Sequence, residues 1–467
     1  MGDHRMKNMS QTSSQNAGFW SGALFGAIAG VGSLLTYQYL SGILRQPRLL
    51  PWALLSKPEE FESQEALALF IASENLRAGI QTRRLKNEQY KEVLHAGYRN
   101  FRESWARDFG FASYGLLALE RYDTVRQTLE AFFWHQTAAG QLPVKLHSLD
   151  FVTRYFHSFL GREQSTEGVL RPKYISGHGA PSLDGQALLV ISALTYAREI
   201  KNLEFVKTHW ASLVSAMHWL ENHRTGPDGN LLYQQAFADW ADSVARRGHV
   251  HYTNVVYWKA LSEMAEAAAN LDMTAYSDYY REKADAVASA IQQRFWNHDL
   301  GYFVTSDSLP QLSSDGNLLA IAWELATPEQ SKQILQSMEL AGMTSPVPTR
   351  VTSSAYPRQL IAIENVLGGM PGYHAEAAWI WLGAWHVIAE ARCRDLAKAR
   401  ELLSRISAVI VRDKQVNEVY GKDGKPMASL WYKPEAPLTW NAGMFIYACK
   451  CFEEISTSLL KSVIAST

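Results

Sequence analysis

From Asp184 to Leu194 the chain reads Asp-Gly-Gln-Ala-Leu-Leu-Val-Ile-Ser-Ala-Leu, one carboxylate and then a helix with almost no polar side. A surface helix keeps a polar face, so a helix that is apolar all round has to be enclosed by others. Outward from it, apolar residues recur at helical spacing in Glu65–Ile80, Ser104–Leu119, Tyr122–Ala138, Leu183–Ile200, Glu204–Asn222, Thr253–Leu271, Tyr276–Phe295, Gly316–Glu324, Pro328–Met338, Ala375–Ala391, Asp395–Val411 and Thr439–Ile455. No alternating strand pattern of any length interrupts them. Asn202-Leu-Glu-Phe opens one helix, and Gly226-Pro-Asp-Gly and Asn297-His-Asp-Leu-Gly are turns. About twelve helices taken in pairs make six hairpins that close a double ring, so the predicted fold is all-α, an (α/α)₆ barrel. No short exact repeat is visible, and the repetition is one of architecture.

The 467 residues are 47% hydrophobic with a net charge of −1, enough to bury a large core and too balanced to attract nucleic acid. Cys393, Cys449 and Cys451 have neither metal-ligand spacing nor the look of a disulfide framework and read as core residues. His249 and His251 are too close together, and without a partner pattern, to suggest a metal site. Fifteen Trp and 21 Tyr exceed what a core of this size needs; they suit sugar rings, and they equally suit irregular core space.

Residues 18–44 run without a charge from Gly18 to Leu44, and about 20 apolar residues cross a bilayer. The run is long for a cleaved signal, so residues 1–17 read as a tail, 18–44 as a single transmembrane anchor, 45–62 as a linker and 63–467 as the catalytic domain. Trp20, Tyr37 and Tyr39 fall where interfacial aromatics belong. Gly22, Gly26 and Gly30 share one face, a spacing that suits a homodimer in the membrane as well as it suits ordinary membrane-helix composition. Arg5 and Lys7 before the run nearly balance Arg45 and Arg48 after it, so charge hardly chooses a side; the lean is towards an extracytoplasmic catalytic domain.

Cleaving a glycosidic bond takes one carboxylic acid and one carboxylate, and three segments set carboxylates among aromatics. In Phe237-Ala-Asp-Trp-Ala-Asp-Ser-Val-Ala-Arg, Asp239 and Asp242 flank Trp240, whose ring would desolvate a neighbouring carboxyl and raise its pKa. Asp239 reads equally as a helix cap, whereas Asp242 lies too far ahead of the helical run at Thr253 to be one. In Asn417-Glu-Val-Tyr-Gly, Glu418 sits in a turn-rich loop that returns through Leu430-Trp-Tyr-Lys to Pro437-Leu-Thr-Trp-Asn-Ala-Gly; a lone Glu there reads first as solvated. In Glu103-Ser-Trp-Ala-Arg-Asp-Phe, Arg107 and Asp108 would hold sugar hydroxyls or form an ion pair.

Together these segments resemble the (α/α)₆ glycosidases that include neutral/alkaline invertases, processing α-glucosidase I and the amylo-1,6-glucosidase part of glycogen debranching enzyme. Trp105-Ala-Arg-Asp-Phe is similar to the invertase segment that lines the sugar subsite, and Leu183-Asp-Gly to their inner-helix start, which implies a substrate role for Asp184. Trp240-Ala-Asp-Ser-Val-Ala-Arg resembles the segments of debranching enzyme and α-glucosidase I that carry the general acid; this implies Asp242 as acid, with Arg246 nearby. Asn417-Glu-Val-Tyr-Gly and Leu438-Thr-Trp-Asn-Ala-Gly resemble the invertase segments around the general base, which implies Glu418, with Trp440 in the site. Where invertases have Tyr-His-Asn-Gly-Gly-x-Trp this chain has Tyr373-His-Ala-Glu-Ala-Ala-Trp, which puts Tyr373 and His374 near the sugar and makes Glu376 a second candidate base or a helix opener.

The resemblance implies an inverting hydrolase of α-glucoside-type bonds, acting on an oligosaccharide or small glycoside with no metal and no organic cofactor. Two other readings compete: a sugar epimerase on the same barrel, using His374, and a membrane-anchored carbohydrate-binding protein without catalysis.

Overall fold

The computed structural model describes residues 33–48, 61–224 and 229–466. The chain divides into two compact units, one formed by the N-terminal segment together with residues 150–165, the other by the remainder. In the smaller unit, helix α1 covers residues 33–44 and α5 covers Phe151–Phe159, capped by Asp150, whose carboxylate accepts the Thr153 N–H. The Tyr39 hydroxyl donates to Thr153 Oγ1 at 2.7 Å, and the Tyr39 ring meets Phe156 edge-on at 6.3 Å. The expected span up to residue 32, with Gly22, Gly26 and Gly30, lies outside the described residues. Among those described, no helix is long and apolar enough to cross a membrane.

The larger unit is a double ring of helices. In chain order these are α2 (Gln64–Ala78), α3 (Ala106–Ala118), α4 (Tyr122–Trp134), α6 (Leu183–Glu199), α7 (Leu203–Glu221), α8 (His251–Asn270), α9 (Thr274–Phe295), α10 (Ser314–Ala322), α11 (Pro328–Leu340), the short α12 (Ile363–Leu367), α13 (Ile380–Arg392), α14 (Leu396–Asp413) and α15 (Thr439–Ser466). Helices α3, α6, α8, α10, α13 and α15 each pack on the next, and α15 returns to α3, so these six close the inner ring. Outside them lie α2, α4, α7, α9, α11 and α14.

Sequence patterning explains the division of labour. Every residue of α6 from Leu183 to Ala197 is buried, and the same holds for α13 from Ile380 to Ala391, whereas α14 buries one stripe and turns its charges outward. Each fully buried Leu or Ile contributes about 1.5–3 kcal/mol over an exposed one. The seam where the ring closes needs glycine. A Cβ on Gly115 of α3 would strike the Gly443 backbone of α15, and one on Gly443 would come within 2.8 Å of Ala112 Cα.

All twelve predicted helices are present. The predicted absence of strands is corrected: among the described residues eight short strands, the longest of five residues, form one hairpin and two three-stranded sheets. They are too short to show a period of two in sequence. Two of them position the site: β3 (Ser104–Trp105) runs straight into α3, and β8 (Leu309–Leu312) stops just before α10. The run from Ala375 also begins its helix later than its spacing suggests. Ala378 is held extended, bridging to Arg350 and Tyr420, and α13 starts only at Ile380.

Candidate active site

The chemistry gathers where the inner helices begin. In the first turn of α6, Asp184 accepts the Ser182 hydroxyl at 2.6 Å and the Gly185 N–H at 2.7 Å, and its other oxygen accepts Nε of Arg107, in the first turn of α3, at 2.9 Å. Arg107 Nη1 lies 3.7 Å from Asp242. Burial works against the guanidinium charge, but Asp184 and Asp242 outweigh it and hold Arg107 firmly protonated.

The loop carrying Asp242 is fixed from below. Asp239 accepts the Ala241 N–H, Gln234 Nε2 at 2.8 Å and Arg246 Nε at 3.1 Å. Arg246 also donates to Asp315 at 2.8 Å, and the Trp240 indole N–H donates to the same Asp315 oxygen at 2.6 Å. Asp239 is therefore a strut for its own loop and not a helix cap, since α8 starts at His251. The Asp242 side chain keeps 37% of its surface open, yet enough protein surrounds its carboxyl that desolvation pushes it up to about 6, against the pull of Arg107 and His178.

Glu418 lies in the loop after α14 and is only 2% exposed. Tyr373 donates to one carboxylate oxygen; Tyr432 at 2.5 Å and the Glu435 N–H at 2.7 Å donate to the other. Its backbone is pinned by Asn441 of α15, whose Nδ2 donates to the carbonyls of Asn417 and Glu418, both at 2.8 Å. Burial pushes Glu418 up to about 7, with the three donors pulling the other way. Asp108 ties the two halves together. Burial raises it to about 7, and both Asp242 and Glu418 add to that rise, so its carboxyl lies within electrostatic reach of each.

The other predicted residues divide by exposure. Trp105 is half-buried, with Lys145 over its ring at 4.4 Å. Asp239, Trp240, Arg246 and Trp440 were expected to touch sugar but are 0–4% exposed. They form the floor: Trp440 stacks on Phe111 at 5.3 Å, and Trp240 packs edge-on against Trp381 at 4.8 Å. His374 is buried in this cluster, its Nδ1 accepting the Ser243 N–H at 3.3 Å. Desolvation keeps it neutral. Glu376 pairs with Lys422 at 2.8 Å and opens no helix.

Reading the sequence missed Tyr432, Glu435, Asn441, His178 and Asp315. Asp315 had a signal, because Ser313-Ser-Asp-Gly has the same spacing as Ser182-Leu-Asp-Gly and folds the same way, with Asp315 accepting the Ser313 hydroxyl at 2.6 Å and the Gly316 N–H at 2.7 Å. Among the described residues, no group of three or more His, Cys, Asp or Glu is placed to hold a metal ion.

A family model for the six-hairpin glycosidase domain of bacterial α-L-rhamnosidases matches residues 130–345, a little under half of the chain. A rhamnosidase from Klebsiella oxytoca with rhamnose bound has a TM-score of 0.60 at 15% identity, over 85% of this chain and 64% of that one. The fold is that of the six-hairpin glycosidases. A glycosidase variant in complex with glucose reaches 0.60 at 13% identity over 85% of this chain and 99% of that one. A GH63 mannosylglycerate hydrolase from Thermus thermophilus, in complex with glucose, gives 0.57 at 12% over 82% and 99%. This chain thus spans less than two thirds of the rhamnosidase and nearly all of the two smaller enzymes. No curated protein matches its sequence. In fold, this chain is similar to these (α/α)₆ glycosidases.

Proposed function

We propose that the protein hydrolyses glycosides with inversion of configuration, with Asp242 as general acid and Glu418 as general base. The observation that carries this is the contrast between the two carboxyls. Asp242 keeps 37% of its side chain open beside Arg107, where a leaving oxygen can reach it, while Glu418 is held by three donors that favour its ionised form against a burial that raises it to about 7, above Asp242 at about 6. Asp242 would protonate the leaving oxygen as Glu418 draws a proton from water on the far side of the sugar, which calls for carboxyls about 6.5–9.5 Å apart. Arg107 and Asp108 would hold sugar hydroxyls, and Trp431, 62% exposed and next in sequence to Tyr432, offers an open aromatic face.

An α-glucoside-type bond is the substrate class we favour. The glucose-bound neighbours of similar length support it, and the rhamnose-bound neighbour names the nearest alternative. Incubating the purified chain with sucrose, trehalose, maltose, isomaltose and glucosylglycerate, and reading the first-formed anomer by proton NMR, tests both parts. A β-anomer released from an α-glucoside supports the reading; a retained α-anomer overturns inversion. Epimerisation is disfavoured because His374 is buried, neutral and already accepting a backbone N–H. A binder without catalysis would show no turnover on any of these sugars.

The uncharged run 18–44 supports a single-pass anchor, with the Gly22, Gly26 and Gly30 face available for dimerisation and the catalytic domain on the extracytoplasmic side. Alkaline carbonate extraction of membranes carrying the full chain tests the anchor, which requires the protein to stay in the pellet.

A further inference from the structure

Nine of the 24 exposed large hydrophobic side chains among the described residues fall in the small unit, which has only the segments 33–48 and 150–165 to hold them. Isolated exposed apolar residues are ordinary, but a cluster of this density marks a surface that is covered. Helix α5 shows how it is organised. Phe151, Tyr155 and Phe159 stand four residues apart on one face and form a stacked ladder, with ring centres 6.4 and 6.1 Å apart. They are 70%, 41% and 61% exposed, and Val152 beside them 55%. The opposite face is used up, with Phe156 against Tyr39 of α1 and His157 buried.

What covers the ladder follows from where α1 comes from. The uncharged run that starts at Gly18 enters α1 at residue 33 without a break, and α1 itself leaves Leu34, Leu35 and Tyr37 exposed at 57–70%. The aromatic face of α5 is therefore tied, through Tyr39, to a segment whose continuation has the length and polarity of a bilayer span. The charges among the unit's described residues agree: Arg45, Arg48, Arg162 and Arg154, whose guanidinium lies 5.5 Å from the Phe151 ring, stand against Asp150 and Glu163. A short helix with an aromatic face and a cationic flank suits the headgroup layer of an anionic membrane. We propose that α5 is a second membrane contact, lying in the interface of a phospholipid bilayer with Phe151, Tyr155 and Phe159 turned into it. This rests on the anchor reading for its occupant, and the test separates the two.

The full chain is placed in vesicles of three parts phosphatidylcholine to one part phosphatidylglycerol. A nitrobenzoxadiazole dye is attached in turn through Val152→Cys, Leu340→Cys and Leu24→Cys, and each signal is read against the labelled unsubstituted chain, whose three cysteines set the background. Leu340 is 82% exposed in the larger unit and reports an uncovered site. Lipids carrying a headgroup nitroxide should quench position 152 several-fold more than position 340, and Phe151→Asp/Tyr155→Asp/Phe159→Asp should remove most of that difference. If 152 is quenched no more than 340 while 24 is quenched by an acyl-chain nitroxide, the anchor stands and the α5 contact is overturned. Quenching at 152 without quenching at 24 keeps α5 as a contact and overturns the anchor. Shielding of 152 from both lipid nitroxide and aqueous iodide, rising with protein-to-lipid ratio, assigns the face to a second copy and overturns the proposal.

Discussion

Ser182-Leu-Asp-Gly and Ser313-Ser-Asp-Gly share one arrangement, each with an Asp that takes its own Ser hydroxyl and the next N–H and then receives an arginine from the preceding part of the ring. Their arginines do different work. Arg107 is slightly open and continues to Asp242; Arg246 is fully buried between Asp239 and Asp315. One copy of the motif thus tunes the carboxyl proposed as the acid while the other holds down the loop that carries it. A shared local fold is no guide to role; the difference lies in what the far side of each guanidinium faces.

The sharpest way to break this contrast is at the residue only one arginine reaches. Asp242→Asn should lower kcat on natural glycosides by about 10²–10⁴-fold while sparing part of the activity on a glycosyl fluoride, whose leaving group needs no proton. Glu418→Gln should lose both. Unchanged turnover of a natural glycoside by Asp242→Asn would end the acid assignment and send attention to Asp108.

The pH profile follows from the same pair. The productive state has Glu418 ionised and Asp242 protonated, so activity rises as the first loses its proton and falls as the second does. With Glu418 near 7 and Asp242 near 6, that state is the rarer singly protonated form, and the profile should be a bell with limbs close to pH 6 and 7. On a glycosyl fluoride, Asp242→Asn should leave a single rising limb near pH 7, that of Glu418. Arg107→Met removes a charge that lowers the Asp242 pKa, so the limb near pH 6, which that group sets, should move to higher pH and narrow the bell. A lower limb that stays put would mean Arg107 does not act on Asp242.

Arg246→Met should instead be read in stability. It strands Asp239 and Asp315 without their cation, and breaking a buried pair from one side costs about 3–5 kcal/mol. Melting should fall further than with Arg107→Met, which strands one buried carboxylate, Asp184, since its other partner Asp242 is partly open. The smallest effect separates the two glycines. A Cβ on Gly316 would come within 2.5 Å of His251 Nδ1 and 2.9 Å of the Tyr252 backbone N, whereas on Gly185 the close atoms are the Ser182 hydroxyl at 2.8 Å and Ala106 Cβ at 3.3 Å. Gly316→Ala should cost about 1–3 kcal/mol and Gly185→Ala less, measured by urea unfolding.

The helices were legible because each carries a long stripe of one period, and a ring of six enclosed helices needs such stripes. Asp242 was legible from Trp240 beside it and its distance from the next helix, but Glu418 only through resemblance: nothing local distinguishes it from a solvated loop Glu, and its burial comes from Tyr373 in another loop and Tyr432 farther along its own. For that reason its elevation to about 7 is not foreseen from a loop in which a lone Glu reads as solvated. Exposure was misjudged for Trp240 and Trp440 because aromatic residues beside carboxylates look alike whether they face sugar or core. The two strut carboxylates, Asp239 and Asp315, look in sequence like any others at the start of a helix.

The closed inner ring has a consequence for how the protein is made. The glycine seam joins α3, near the start of the larger unit, to α15, its last helix, and neither α2 nor α3 can complete its packing until α15 exists. At about 5–20 residues per second, the early helices wait roughly tens of seconds with an apolar flank uncovered before the ribosome delivers Gly443. Truncation anywhere before α15 should therefore leave a sticky, unclosed horseshoe and not a smaller stable domain, and the nascent chain will lean on chaperones until its final helix is released.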